Sequence, residues 1–379
     1  MKAPQTRPTL DYLQRYLIEE MIEEYKDAHI PRREMVRRVL LITGSIPATA
    51  SILLAAGCGG NPTPTLAPTA APKVATPATP AGAASPAAAS PTSATPAASP
   101  AVATPATSPP AATPTGTPTR AASPAGSPAG RGSPTPAASG VTIPPTDPAI
   151  EAGPVEFPGQ GVTLKGYRSS PRGVAKAPGL LVIHENRGLV EHIKDVTRRY
   201  AKDGYLAVAV DLVSRQGGTD SIANQGDIPT ILGQGDKNLQ VQDLLSGIAY
   251  LKTLPNFAGP KAGVVGYCYG GGLTWLTAIN SADVAAAVPY YGPPPDPLDD
   301  VQKITGAVLA FYGELDTRIT SNEPAIAAAM QKYNKVFEFK IYPGANHAFN
   351  NDTGQSYNAA ASKDAYARSL DWFAKYLKA

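Results

Sequence analysis

The residues best suited to covalent chemistry are a cysteine, an aspartate and a histidine in the C-terminal part of this 379-residue chain. Cys268 lies in the run GYCYGG from Gly266 to Gly271, between an apolar strand pattern and a helix pattern. Small residues two positions either side of the cysteine permit a tight strand-to-helix turn. Such a turn presents the thiol at a helix N-terminus, which favours the nucleophilic thiolate. A buried structural cysteine is the alternative, but the order of strand, turn and helix favours a nucleophile.

A nucleophile of this kind needs a base, and the base needs an acid that orients it. His347 is the only histidine C-terminal to Cys268, and its loop follows an apolar run over Phe337–Tyr342. Asp316 follows another apolar run, so its carboxylate can fix the tautomer of the imidazole. Helix capping is the alternative role for Asp316. Three other loop acids follow no strand so directly: Asp296, Asp299 and Asp300.

Secondary structure elements must bring these three residues together. From about Ile143 onward, continuous apolar runs alternate with helical patterns, which predicts an α/β fold with a mostly parallel sheet and helices on both faces. Ligands bind at the carboxyl ends of such strands, where the three residues lie. A hairpin is predicted over 155–157 and 162–167, strands over 180–184, 205–212, 262–267, 284–291, 307–312 and 337–342, and helices over 191–203, 236–253, 271–282, 323–334 and 357–378.

With its cysteine turn, the segment from about residue 150 to 379 resembles the dienelactone hydrolase family of α/β-hydrolases. The resemblance implies hydrolysis of an ester or lactone through an acyl-cysteine intermediate, with no metal and no cofactor. No grouping of His, Cys, Asp and Glu in the sequence has metal-ligand spacing, which also favours a site without metal.

The resemblance also assigns residues around the thiol. Glu185 matches the family glutamate that holds the thiol proton at rest, and the backbone amides of Asn186 and Tyr269 match the oxyanion hole. Arg215 matches the arginine that binds the carboxylate of the substrate. The second arginine of the family, four residues after the histidine, is replaced here by Asn351.

The composition of the chain restricts its possible partners and shows that it is not all one folded domain. The net charge is +3, from 33 basic and 30 acidic residues, which gives no broad field that would attract nucleic acid. The 40 prolines and 7% aromatic residues indicate that part of the chain builds no core. Two cysteines, Cys58 and Cys268, lie in different regions, so no disulfide is expected.

Residues 31–58 have the pattern of an export signal, with Arg32-Arg33 ahead of a mildly apolar run that ends at Cys58. The arginine pair resembles a twin-arginine signal, and the run from Leu54 to Cys58 resembles a lipobox whose cysteine is lipidated. An uncleaved membrane anchor and ordinary cleavage are the alternatives. All three place the C-terminal domain outside the cytoplasmic membrane.

The chain therefore divides into an N-terminal extension with the export signal (1–58), a linker rich in Pro, Ala, Ser and Thr that cannot fold (59–142), and the hydrolase-like domain (143–379). Within the extension, one apolar residue per helical turn predicts an amphipathic helix whose role the sequence leaves open. The residues of this stripe are Leu10, Leu13, Leu17, Met21 and Tyr25.

Two classes of function remain at this point. The leading interpretation is a monomeric hydrolase for a small-molecule ester or lactone, or for polymeric or cell-wall esters, attached to the membrane by lipid or leader. The alternative is a surface binding domain that keeps the fold without turnover, since fold alone does not establish function.

Overall fold

The C-terminal part of the chain is built around an eight-stranded sheet with the order β1-β2-β4-β3-β5-β6-β7-β8. The computed structural model describes residues 10–58, the N-terminal helices, and residues 142–377, the sheet domain. Strands β3 to β8 pair in parallel, and the β1–β2 hairpin joins the sheet antiparallel to β4. The strands are β1 Ile150–Gly159, β2 Val162–Pro171, β3 Ala177–Ile183, β4 Leu206–Val210, β5 Phe257–Tyr267, β6 Val284–Tyr290, β7 Ala307–Gly313 and β8 Phe337–Tyr342.

Helices cover the central parallel strands, which explains why those strands are apolar along their whole length. Every residue of β4 and β7 is buried. The predicted α/β-hydrolase fold, with its alternating strands and helices, is confirmed, whereas a short helix after β4 was not predicted. The helices of the sheet domain are α4 Glu191–Lys202, α5 Ile228–Gln234, α6 Lys237–Thr253, α7 Tyr269–Asn280, α8 Thr317–Thr320, α9 Glu323–Lys332 and α10 Ala359–Tyr376.

The N-terminal helices are α1 Tyr12–Lys26, α2 Arg32–Thr43 and α3 Ile46–Ala55. The predicted amphipathic helix is confirmed as α1, which Asp11 and Gln14 begin with a reciprocal capping box. These helices belong to the same compact unit as the sheet domain. None of the helices in the two described segments is both long enough and apolar enough to cross a membrane.

The apolar stripe of α1 packs against the sheet domain. Leu13, Leu17 and Met21 are at most 2% exposed. Leu13 lies against Gly272 of α7 and Leu17 against Gly233 of α5, where the missing side chains make room for them. The extension that the sequence assigned to export is therefore also a docked part of the fold.

The predicted linker and the two cysteines lie in different parts of the chain. The linker prediction falls on residues 59–142, and all of these except Thr142 lie outside the described residues. Cys58 and Cys268 are both free and both buried.

Candidate active site

Cys268 occupies the sharp turn between β5 and α7. Its φ of 57° lies in the left-handed region, a strained conformation for a residue other than glycine. The flanking glycines are required by close backbone crossings. A Cβ on Gly266 would lie 2.2 Å from the carbonyl oxygen of Gly270, and one on Gly270 would lie 2.4 Å from that of His184. The turn predicted from the sequence is therefore present, with the cysteine at its apex.

The structure brings Asp316 and His347 together at the carboxyl ends of β7 and β8. The Nδ1 of His347 lies 2.6 Å from Oδ2 of Asp316, as required for a donor held by a carboxylate. Nε2 of His347 faces the cysteine. The Cys268 sulfur, a ring nitrogen of His347 and a carboxylate oxygen of Glu20 all lie within 4.8 Å of one another.

Charges around His347 favour its protonated form. Burial opposes protonation, but the carboxylates of Glu20 and Asp316 outweigh it and hold the pKa of His347 well above its ordinary value. Burial likewise opposes ionisation of Asp316, yet His347 and then Arg318 keep its pKa below the usual range. The two carboxylates therefore stabilise positive charge on the imidazole ring of His347.

Glu185 follows β3 and lines the same cavity as Cys268. Its Oε1 accepts from the hydroxyl of Tyr291 at 3.4 Å, and its Oε2 accepts from Nδ2 of Asn351 at 2.7 Å. In the described segments it makes no hydrogen bond with Cys268. Asn351, which stands where the family has a second arginine, therefore binds the glutamate. The role of Glu185 at the thiol stays a prediction.

The amides expected to form the oxyanion hole belong to Asn186, which lines the same cavity as Cys268, and to Tyr269, the residue after the cysteine. Within residues 10–58 and 142–377, neither the backbone N–H of Asn186 nor that of Tyr269 donates to a protein acceptor. His184 fixes the first loop, because its Nδ1 lies 2.6 Å from the carbonyl oxygen of Glu185 while its Nε2 accepts from the amide of Leu212. Burial lowers the pKa of His184, which suits a neutral ring with these two bonds.

Tyr16 of α1 is the residue at the site that the sequence reading missed. Its hydroxyl oxygen lies 3.0 Å from the sulfur of Cys268 and 3.1 Å from Nε2 of His347. The side chain is buried, and burial raises its pKa well above the ordinary value, so the hydroxyl is a neutral donor. Tyr16 follows Leu13 by three residues, so the apolar stripe of α1 was the available signal.

A cavity of about 550 Å³ opens beside Cys268, and α1 forms one of its walls. Four acidic residues of the N-terminal segment line it together with Asn186 and Arg187 of the sheet domain. Arg187 is paired with Glu24 of α1. The acidic residues are Glu20, Glu23, Glu24 and Asp27.

Arg215 does not reach this cavity, which corrects the role inferred from the resemblance. Its guanidinium binds both carboxylate oxygens of Asp243 on α6, at 3.1 and 2.7 Å, and donates to the carbonyl oxygen of Gln160. The Asp243 side chain is only 2% exposed, so it needs this partner. The sequence showed an arginine after a strand but could not show the acid that binds it.

The donor atoms of Glu20, Cys268 and His347 are close enough to share a metal ion, a grouping that the sequence spacing did not suggest. Glu20 is already paired with the guanidinium of Arg318, and the hydroxyl of Tyr16 lies between the other two groups. A fixed cation beside the carboxylate disfavours a second cation there. These residues fit a metal poorly.

Relatives of known sequence match the sheet domain. Residues 164–377 match the model of the dienelactone hydrolase family. A Salmonella typhimurium protein with the provisional name carboxymethylenebutenolidase is 34% identical over 258 residues, which cover 64% of this chain and 94% of the relative. A protein of the same name from Methylorubrum extorquens is 34% identical over 252 residues, with 64% and 87% covered. The N-terminal helices lie outside the family match.

Solved structures agree with these matches. A protein from Klebsiella pneumoniae, provisionally described as a dienelactone hydrolase, has a TM-score of 0.56 and 30% identity, covering 60% of this chain and all of its own. A dienelactone hydrolase-like promiscuous phosphotriesterase from metagenomic libraries, 22% identical with a TM-score of 0.55, shares the fold. The family match, the relatives and the sheet topology lead to one conclusion: this chain belongs to the dienelactone hydrolase family.

Proposed function

We propose that the chain is a hydrolase of carboxylic esters or lactones that works through an acyl-cysteine intermediate, with Cys268, His347 and Asp316 as its triad. The observation that carries the proposal is the alignment of Asp316, His347 and the Cys268 sulfur at the carboxyl ends of β7, β8 and β5. The fold and the family supply the hydrolase class.

In the acylation step, the neutral imidazole of His347 accepts the thiol proton at Nε2, and the sulfur of Cys268 forms a bond to the substrate carbonyl carbon. The carbonyl π electrons move to oxygen, where the amides of Asn186 and Tyr269 donate to the developing oxyanion. When the tetrahedral intermediate collapses, the ester C–O bond breaks and the alkoxide takes the proton from His347. The products are an acyl thioester and an alcohol, which stays tethered when the substrate is a lactone.

In the deacylation step, His347 removes a proton from water while the oxygen attacks the thioester carbon. The C–S bond then breaks, and the thiolate recovers the proton held by His347. Asp316 stabilises the imidazolium in both steps. The net reaction adds one water to the ester and regenerates the thiol.

The test is mass spectrometry of the chain after exposure to an activated aryl ester. An acyl group should appear on the peptide that carries Cys268, and turnover should vanish in Cys268→Ala. Because the hydroxyl of Tyr16 contacts both reacting groups, the assay should include Tyr16→Ala beside the native chain. An adduct elsewhere, or no turnover of any aryl ester or lactone by either chain, would favour the binding-domain alternative.

We also propose that the sheet domain works outside the cytoplasmic membrane. The arginine-rich start of α2 and the exposed apolar surface of α3, with Ile46 73% and Leu54 65% exposed, support an export signal. The docked helices leave Cys58 only 7% exposed, so lipidation requires this segment to leave the domain. Protease added to intact cells should cut within 59–142; a fully protected enzyme would contradict export.

A further inference from the structure

The N-terminal helix α1 fills the place where a substrate must bind. A substrate carbonyl has to reach the sulfur of Cys268, and its leaving group has to reach Nε2 of His347. The hydroxyl of Tyr16 lies 3.0 Å from the first atom and 3.1 Å from the second. A polar group that bonds to both atoms excludes a reacting carbonyl from the space between them.

One turn further along α1, Glu20 contacts the same histidine and an arginine beside it, as the carboxylate of a bound substrate could. Its Oε1 lies 3.7 Å from Nε2 of His347 and is paired with the guanidinium of Arg318. Glu23 lies 3.3 Å from the same guanidinium, which also stacks over the ring of Tyr16, 4.9 Å from its centroid. An aromatic ring and a carboxylate of α1 are therefore held together beside the thiol.

Arg318 takes most of its charge compensation from α1. Its side chain is 14% exposed, and the nearest carboxylate of the sheet domain is that of Asp316, at 3.8 Å. Asp316 is committed to His347 at 2.6 Å. If α1 leaves, a guanidinium at the edge of the active site loses its main partners and becomes free to bind another anion.

The sheet domain is shaped to accept α1. Gly272 lies one residue after the GYCYGG turn, and a Cβ there would lie 2.9 Å from Leu13; at Gly233 the nearest atoms would belong to Ile42 and Leu17. The contacts at Gly233 are side-chain contacts rather than strand pairing or a shared backbone crossing. They therefore permit α1 to leave without disrupting the sheet.

We propose that α1 is an internal ligand of the substrate site, which it blocks in the docked chain, and that Arg318 binds an acidic group of the substrate once α1 is displaced. The proposal rests on the hydrolase function proposed above and adds that the substrate carries an anionic group. It moves the anion-binding role from Arg215 to Arg318.

The blocking part is tested by the rate at which iodoacetamide alkylates Cys268 in the full chain, read from the peptide that carries it. Leu17→Asp puts a charge on the buried face of α1, and Tyr16→Ala removes the contact directly. Lys26→Asp is the matched control, because it places the same residue at an exposed position of the same helix. Alkylation should be at least about tenfold faster in either of the first two variants and unchanged in the control. Rates within about twofold of the native chain in both would overturn this part.

The anion-binding part is tested in the Leu17→Asp chain with benzoate and the neutral benzamide as probes that protect Cys268 from iodoacetamide. Benzoate should slow alkylation several-fold more than benzamide, and Arg318→Gln should abolish that difference, whereas Arg318→Lys should keep part of it. Equal protection by benzoate with and without Arg318 would overturn the assignment.

Neither measurement requires turnover. The proposal can therefore fail while ester hydrolysis is observed, and it can hold while the hydrolase function fails.

Discussion

Cys268 is fixed by the sheet domain and contacted by the N-terminal helices, and the two regions do this by different physical means. In the sheet domain, backbone crosses backbone at the turn, so that a Cβ on Gly270 would meet the carbonyl oxygen of His184 at 2.4 Å. In the N-terminal helices, Tyr16 reaches the same sulfur through a side chain on a helix that is anchored by apolar side chains and ion pairs. The first arrangement cannot change without unfolding the strand ends, and the second can be released.

The largest expected effect is a loss of kcat/KM when His347 of the sheet domain is replaced. Replacement of Tyr16 in α1 should cause no comparable loss. In the Leu17→Asp background, His347→Ala should lower kcat/KM for an aryl ester by about 10²- to 10⁴-fold, the usual contribution of a positioned general base. Tyr16→Ala in that background should change it little, because Tyr16 blocks the site and takes no part in the reaction. A comparable loss in both variants would place Tyr16 in the catalytic machinery and break the comparison.

The second effect concerns the rigidity of the turn. Gly270→Ala places a methyl group against backbone oxygens that cannot move aside, so we expect a loss at the upper end of about 1–3 kcal/mol. Gly153→Ala is the control, because a Cβ there meets nothing within 4 Å. Thermal unfolding should separate the two variants by several degrees. Equal melting temperatures would show that the turn is less constrained than its geometry indicates.

The Arg215→Ala variant tests whether this arginine of the sheet domain has only a structural role. Arg215→Ala leaves the buried carboxylate of Asp243 without its cation, which should cost about 1–3 kcal/mol of unfolding free energy. The ratio of kcat/KM for acidic and neutral esters should stay unchanged, because Arg215 does not line the cavity. A selective loss on the acidic ester would return the carboxylate-binding role to Arg215.

The pKa of His347 tests the contact between the two regions, because Glu20 of α1 contributes to it. The pKa of His347 is raised in the folded chain, so its contribution to stability is complete below the unfolded pKa and is lost as pH rises through the folded value. Glu20→Gln removes a carboxylate that raises this pKa, so the pKa should fall and the loss should occur at lower pH. NMR titration of the His347 ring measures this directly. Glu19→Gln is the control. An identical titration curve of His347 in both variants would show that Glu20 does not raise its pKa.

The smallest expected effect is confined to the docking surface. A Cβ at Gly233 would lie 2.9 Å from Cδ1 of Ile42 and 3.2 Å from Cδ1 of Leu17, both in the N-terminal helices. Gly233→Ala should weaken docking by about 1 kcal/mol, the lower end of overpacking costs. Hydrogen exchange should then increase in α1 and α2 and stay unchanged in β5 and β7. Increased exchange in those strands as well would mean that the two regions unfold together.

The sequence predicted the sheet domain well because its signals are local. Apolar runs mark the buried strands, and the glycines around Cys268 mark the turn, so Asp316 and His347 could be placed by their position after strands. The partner of Arg215 could not be predicted, because Asp243 comes from a helix that approaches through tertiary packing.

The position of α1 was also beyond the sequence. Helical periodicity shows that a face is apolar but does not show what covers it. The arginines and apolar residues of 31–58 fit an export signal and also serve in docking, since Arg38 and Val39 are buried. One pattern can therefore serve two states of the same segment, and only the export reading was visible in the sequence.

If the substrate binds at Cys268 as proposed, α1 and the substrate compete for the same atoms, because the hydroxyl of Tyr16 lies between Cys268 and His347. Such competition is reciprocal. If docking of α1 lowers the affinity for substrate by some factor, bound substrate lowers the affinity of α1 for the sheet domain by the same factor. The same docked segment keeps Cys58 buried, and Arg32 donates to its carbonyl oxygen. Under this proposal, a bound substrate would loosen the N-terminal helices, and Cys58 would become more exposed when the active site is occupied.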